Sequence, residues 1–265
     1  MVKVILALAW PTVVEQAMQT AVQYIDTAMV GSLGTQATAA VGATSTVNWL
    51  ISGSIGALGI GFLAFIAKAC GAGDKAEAKK SVSQAVFVTL VVGVLFTALT
   101  LGLSGYIPVW MQVDKGIRAL ASQYFFILYL PMLPRTATII FGTVLRAAGD
   151  TKTPMKVGVA VNIVNVVLNF LLIYETRQVS LFGFEFTMFG AGWGVLGAAA
   201  ASAAAFAVGG IYITVVLWRH PMVSPKGQSI KPNMEILRPC LKVAVPNMLQ
   251  RFGTSLGYVA FASMI

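Results

Sequence analysis

Hydrophobic residues fill this chain in long blocks separated by short polar gaps. The blocks cover about residues 4–31, 37–69, 82–107, 119–146, 154–174 and 192–218, and a seventh begins near 240 and is still apolar at Ile265. A helix that crosses a bilayer needs about 20 apolar residues, and every complete block supplies them. The pattern predicts an all-α fold, a polytopic membrane helical bundle. Several blocks are longer than one crossing requires, so their helices must tilt, kink or protrude. Pro11, Pro131 and Pro134 lie inside blocks and predict kinks. Runs such as GSIGALGIG (53–61) and GAAAASAAA (197–205) are built from small residues, which let membrane helices approach closely.

Charge sorts the gaps. Lys3, Lys68, Lys75, Lys79, Lys80, Arg146, Lys152, Lys156, Arg219, Lys226, Lys231, Arg238 and Lys242 fall on one side of the implied membrane; Lys115, Arg118 and Arg177 fall on the other. Positive residues collect on the cytoplasmic side. This predicts a multi-pass protein of the cell inner (plasma) membrane with a cytoplasmic N-terminus, and an outside loop FGFEFTM (182–188). Only 10% of residues are charged, against roughly 25% in a soluble domain. The net charge of +9 would point to nucleic acid in a soluble protein. Here it lies in the gaps, so the lipid bilayer is the expected partner and nucleic acid is not. The start, MVKVILALAW, mimics a signal peptide, but its apolar run is short and the block continues through Pro11 and Glu15; it reads as the first span. Cys70 and Cys240 are far apart and read as free thiols. The one histidine, His220, lies in a gap, so the blocks lack the clustered ligands or nucleophile–base sets of an enzyme. No enzyme activity and no cofactor are expected. GWGVLG (192–197) fits G-x-G-x-x-G but opens a membrane helix outside any βαβ unit, so it reads as close packing.

The first and seventh blocks resemble each other. At a constant offset, Leu6, Ala9, Pro11, Thr20, Ala28, Met29 and Val30 match Leu241, Ala244, Pro246, Ser255, Ser263, Met264 and Ile265. Six spans separate the two starts, so the copies run the same way, as in transporters made of two similarly oriented halves. The expected organisation is a six-helix lobe over 1–218, a cytoplasmic linker over 219–239, and the first helix of a second lobe over 240–265. A fragment, or a separate partner half, is implied.

Four ordered blocks carry a wider resemblance: Pro11 with Glu15-Gln16 and DTAMVGSLG (26–34), GAGDKAEAKKSVSQA (71–85), LRAAGDTKTPMK (145–156) and GWGVLGAAAAS (192–202). Together they resemble the multidrug and toxic compound extrusion (MATE) family of antiporters. The resemblance implies two six-helix lobes around a central cavity, and export of small amphipathic cations in exchange for H+ or Na+. The chain then looks like the N-terminal lobe plus the first helix of a missing C-terminal lobe. Two loops have their own physical reading. In the second block, Gly71 and Gly73 allow a helix end, and Asp74 or Lys75 opens a short surface helix. In the third, Gly149 ends span four, Asp150 or Thr151 caps, and Pro154 sits in the first turn of span five.

The candidate chemistry is polar residues inside the blocks. Of nine acidic residues, only Glu15 and Asp26 lie within spans. They are 11 residues apart, about three turns of one helix face, with Glu15 near mid-bilayer and Asp26 towards the outside. Gln16, Gln19 and Gln23 line a neighbouring stripe that must face a cavity or another helix. Asn162, Asn165 and Asn169 share one face of span five, where amides can hold a carboxylate or a cation, or simply join helices. By resemblance, Asp26 matches the family's first-helix cation-coupling aspartate and Asn165 a nearby asparagine. Asn169 replaces a second acid that some members carry, leaving that site with one carboxylate instead of two. Asp26, Asn165, Asn169 and Asn162 are therefore the expected coupling residues, with Na+ at Asp26 and Asn165 a possible alternative to H+. Glu15, Gln19, Gln23 and Arg135 are the expected cavity residues, with Arg135 paired to Glu15 at mid-bilayer. The alternatives are a lipid or lipid-linked oligosaccharide flippase of the same superfamily, or a non-functional fragment.

Overall fold

A computed structural model describes residues 2–181 and 184–262. The order is α1 (Val2–Gly31), α2 (Thr35–Gly71), α3 (Lys75–Leu103), α4 (Ile107–Trp110), α5 (Arg118–Tyr129), α6 (Met132–Ala147), α7 (Lys152–Leu172), β1 (Glu175–Leu181), β2 (Phe184–Ala191), α8 (Gly194–Arg219) and α9 (Met234–Ala262). Four described helices, α2, α3, α7 and α8, are long and apolar enough to cross a membrane, and the bent pair α5–α6 makes a fifth. α1 and α9 are long enough but carry too many polar residues: Glu15, Gln16, Gln19, Gln23 and Asp26 in one, Arg238, Lys242, Gln250 and Arg251 in the other.

The fourth block is two helices meeting at 51°. Pro131 caps α6, and Pro134 sits in its first turn, where a missing N–H costs nothing. The bend is accommodated by glycine: a Cβ at Gly210 of α8 would lie 2.4 Å from the Pro134 carbonyl oxygen, and one at Gly93 of α3 would meet Leu133. Gly209 receives Val161 of α7, and Gly197 lies on the Leu172 carbonyl. Phe125, Tyr129, Met132, Ile140 and Leu145 are buried where α5 and α6 pack on α2, α3 and α8. α1 packs mainly on α7, and α9 lies along α2, with Gly61 against the Cys240 carbonyl and Arg251 beside Gly53.

The loops differ from expectation in three places. There is no separate surface helix after Gly73: Asp74 accepts the Glu77 N–H at 3.0 Å, and α3 runs from Lys75 to Leu103 without a break. The outside loop pairs into an antiparallel hairpin, β1–β2; residues 182–183 at its tip, part of the expected aromatic loop, lie outside the described residues. α9 starts at Met234, before the expected 240, and passes through Pro239 and Pro246; residues 263–265, where the internal repeat ends, are also outside the described residues. At the α6–α7 turn, Gly149 has φ +85° and Asp150, rather than Thr151, caps by accepting both the N–H and the hydroxyl of Thr153.

Candidate functional site

Asp26 lies five residues from the end of α1, on the face that meets α7. Asn169 Nδ2 donates to its Oδ1 at 2.5 Å. With the Asn165 amide oriented to satisfy its neighbours, its nitrogen donates to Asp26 Oδ1 at 2.9 Å and Oδ2 at 3.2 Å, and its oxygen accepts from Ser202 Oγ of α8 at 3.0 Å. Two amides one turn apart thus converge on one carboxylate, and α8 fixes one of them. Asn165 and Asn169 are buried. Asn169 Oδ1 is buried with no hydrogen-bond partner among the described residues. An acceptor beside a carboxylate has two natural complements, a proton donor or a metal cation. Asn162 is buried on the same helix face, but among the described residues its Nδ2 has no partner and it makes no hydrogen bond to Asp26. Ser202 is the residue that sequence reasoning missed. Its signal was a lone hydroxyl in an alanine run.

The expected Glu15–Arg135 pair does not form. Arg146 Nη2 donates to both Glu15 oxygens, at 2.8 and 2.7 Å, in the one ion pair among the described residues. Arg135 instead turns to α2: its Nη2 donates to Asn48 Oδ1 at 2.6 Å and Ser52 Oγ at 2.7 Å, and its guanidinium lies 4.6 Å from the Phe206 ring and 5.5 Å from that of Tyr129. Tyr129 donates its hydroxyl to the same Asn48 oxygen at 3.0 Å. Both arginines sit on one face of α6, 11 residues apart. Equal residue counts from the helix ends put Glu15 level with Arg135, but the Glu15 side chain meets Arg146 in the last turn of α6. Helix tilt decides such levels, and packing sets the tilt. Gln16, Gln19 and Gln23 are exposed, facing away from the helices described.

Residues 11–171 match the profile of the MatE family. The chain belongs to the MatE family. MatE proteins are membrane transporters and not enzymes. The matched stretch runs from Pro11 of α1 to near the end of α7, so it contains Asp26, Asn165 and Asn169. The MatE chain is 27% identical over 263 residues to a probable multidrug resistance protein NorM of Thermotoga maritima, covering 99% of this chain and 54% of that protein. It is 33% identical over 204 residues to a probable NorM of Rhizobium meliloti, covering 75% of this chain and 42% of the relative. A MATE crystal structure in complex with MaD3S superposes with a TM-score of 0.85 at 26% identity, over 97% of this chain and 55% of that one. The chain spans about half the length of the curated relatives it matches.

Proposed function

We propose that the full-length protein is a cation-coupled antiporter, driven by H+ or Na+, that exports amphipathic cationic drugs and toxic compounds by alternating access. The NorM relatives are named as multidrug resistance proteins, which supports efflux. The observation that carries coupling is the Asp26 carboxylate held by two amides beside the unpartnered Asn169 Oδ1. A proton arriving on Asp26 neutralises it and supplies the donor that Asn169 Oδ1 lacks; Na+ would take carboxylate and amide oxygens instead. Either ion changes the α1–α7 contact. The exposed Gln19 and Gln23 face then belongs to the cavity shared with a C-terminal lobe. Two states that favour ion and drug differently, with the ion more concentrated outside, suffice for exchange.

Export of ethidium by the full-length protein in pump-deficient cells tests this. Asp26→Asn is expected to cut ion-driven export by about tenfold or more, the scale of a coupling free energy between two sites. Undiminished ion-driven export by Asp26→Asn would remove Asp26 from the mechanism. A second reading, a lipid or lipid-linked oligosaccharide flippase, is favoured by one observation: Arg135 is a buried cation with no carboxylate partner among the described residues, and such a group suits a phosphate. Lipid scrambling that depends on Arg135 and not on Asp26 would support it.

A further inference from the structure

The Glu15–Arg146 pair stands apart from the Asp26 site, and three features mark it as an exchangeable contact. The first is its chemistry. Arginine and carboxylate pair most strongly through two parallel N–H donors from two nitrogens. Here a single nitrogen, Nη2, serves both oxygens, and the buried Nε of Arg146 bonds to nothing among the described residues. The second is access. The Glu15 side chain is 9% exposed and that of Arg146 26%, so the guanidinium is the more open partner. The third is an alternative resting place. Arg146 lies in the last turn of α6, where the helix dipole favours a cation.

Glu15 is also tightly placed. A Cβ on Gly158 of α7 would come within 3.3 Å of the Glu15 Cγ, so glycine there admits the carboxylate stem to the α1–α7 seam. α1 is thereby fixed at two points on one face, Asp26 to α7 and Glu15 to the end of α6. An event at either carboxylate acts on the same helix.

We propose that Glu15 is the entry site for the exported cation, and that Arg146 is its built-in competitor: an amphipathic organic cation coming from the cytoplasmic side displaces the guanidinium and takes the carboxylate. Displacement frees the first half of α1 from α6 while Asp26 still holds the second half to α7. The proposal rests on the efflux reading above and names the residue that receives its substrate.

The test is ethidium binding to purified full-length protein, followed by fluorescence anisotropy at about pH 8, where free carboxylates are ionised, together with export in cells. Glu15→Gln is expected to weaken binding by roughly tenfold or more, as losing one partner of a buried charge pair does. Arg146→Gln removes the competitor and should tighten binding. The double variant should bind like Glu15→Gln. Arg146→Lys, which keeps the charge at the helix end and protects the fold, should fall between wild type and Arg146→Gln. A merely structural pair would move both single variants the same way; that result, or unchanged binding in Glu15→Gln, overturns the proposal. Wild-type protein that exports ethidium while the single variants shift together refutes the entry site alone. Wild-type protein that neither binds nor exports organic cations refutes the efflux reading and the entry site with it.

Discussion

Arg135 is 5% exposed and, among the described residues, meets only neutral partners: Asn48, Ser52 and the rings of Tyr129 and Phe206. A charge in the interior costs several kcal/mol before its contacts offset it, and neutral acceptors offset less than a carboxylate does. Replacing it by Met removes that cost and leaves the Tyr129–Asn48 hydrogen bond in place. Arg135→Met is therefore expected to keep or raise the melting temperature of the purified protein. Arg146→Gln should lower it, because Glu15 stays buried without its cation; about 2 kcal/mol is the expected loss, discounted for the partial exposure of Arg146. Asp26, Asn165 and Asn169 were legible in the sequence because each is polar in an apolar block and the asparagines share a face; Ser202, a small hydroxyl in an alanine run, was not. Which arginine meets Glu15 was not legible. Arg135 and Arg146 occupy the same face of α6, and only the crossing level of α1 tells them apart.

At the scale of elements, the break inside the fourth apolar block falls at two prolines, whereas α1 and α9 run on through Pro11, Pro239 and Pro246, and helix contacts follow the glycines. Pro131 and Pro134 mark where α5 turns into α6, and this was legible because proline cannot continue a hydrogen-bond ladder. Gly210 lets α8 press against the Pro134 backbone at that bend. Gly210→Val puts a Cβ 2.5 Å from Pro134 Cα, closer than any backbone tolerates, so α8 must move off α6. A loss of at least about 1–3 kcal/mol is expected, seen as a lower melting temperature, while Gly102→Ala, which has open space around it, should change little. The hairpin β1–β2 was not foreseen. Its stability comes from cross-strand pairing and from packing on the end of α7, and neither is local in sequence.

At the scale of the whole molecule, the segment joining α8 to α9 is fastened to α3 near its end and held in a turn at its start. Gln84, a buried side chain of α3, donates to the Lys231 carbonyl at 2.9 Å and accepts the Asn233 N–H at 2.8 Å. At the other end, His220 Nδ1 accepts the N–H groups of Met222 and Val223 at 3.2 and 3.3 Å. That bonding requires an unprotonated Nδ1. Burial accordingly holds the His220 pKa below its ordinary value, with Asp150 opposing the shift. A histidine with a folded pKa below its unfolded one contributes stability fully above the unfolded value, about 6.5, and loses it as pH falls through the folded one. Wild-type protein should thus lose stability relative to His220→Gln as the pH drops from about 7.5 to about 5.5, measured by paired thermal melts. A constant difference across that range would remove His220 as the acceptor that holds the turn.

The sequence by itself determined the helical class, the order of the long apolar helices, the break at Pro131 and Pro134 and the polar residues that have no business in lipid. These follow from local rules: the period of a helix, the thickness of a bilayer and the cost of an unpaired charge. Tertiary structure alone decided which polar groups meet. Asn165 and Asn169 close on Asp26, Ser202 orients Asn165, Arg146 takes Glu15, and Arg135 is left among amides and rings. The reason is that a helix encodes its own face and length, whereas tilt and crossing level arise from how glycine, proline and large side chains of several helices fit together.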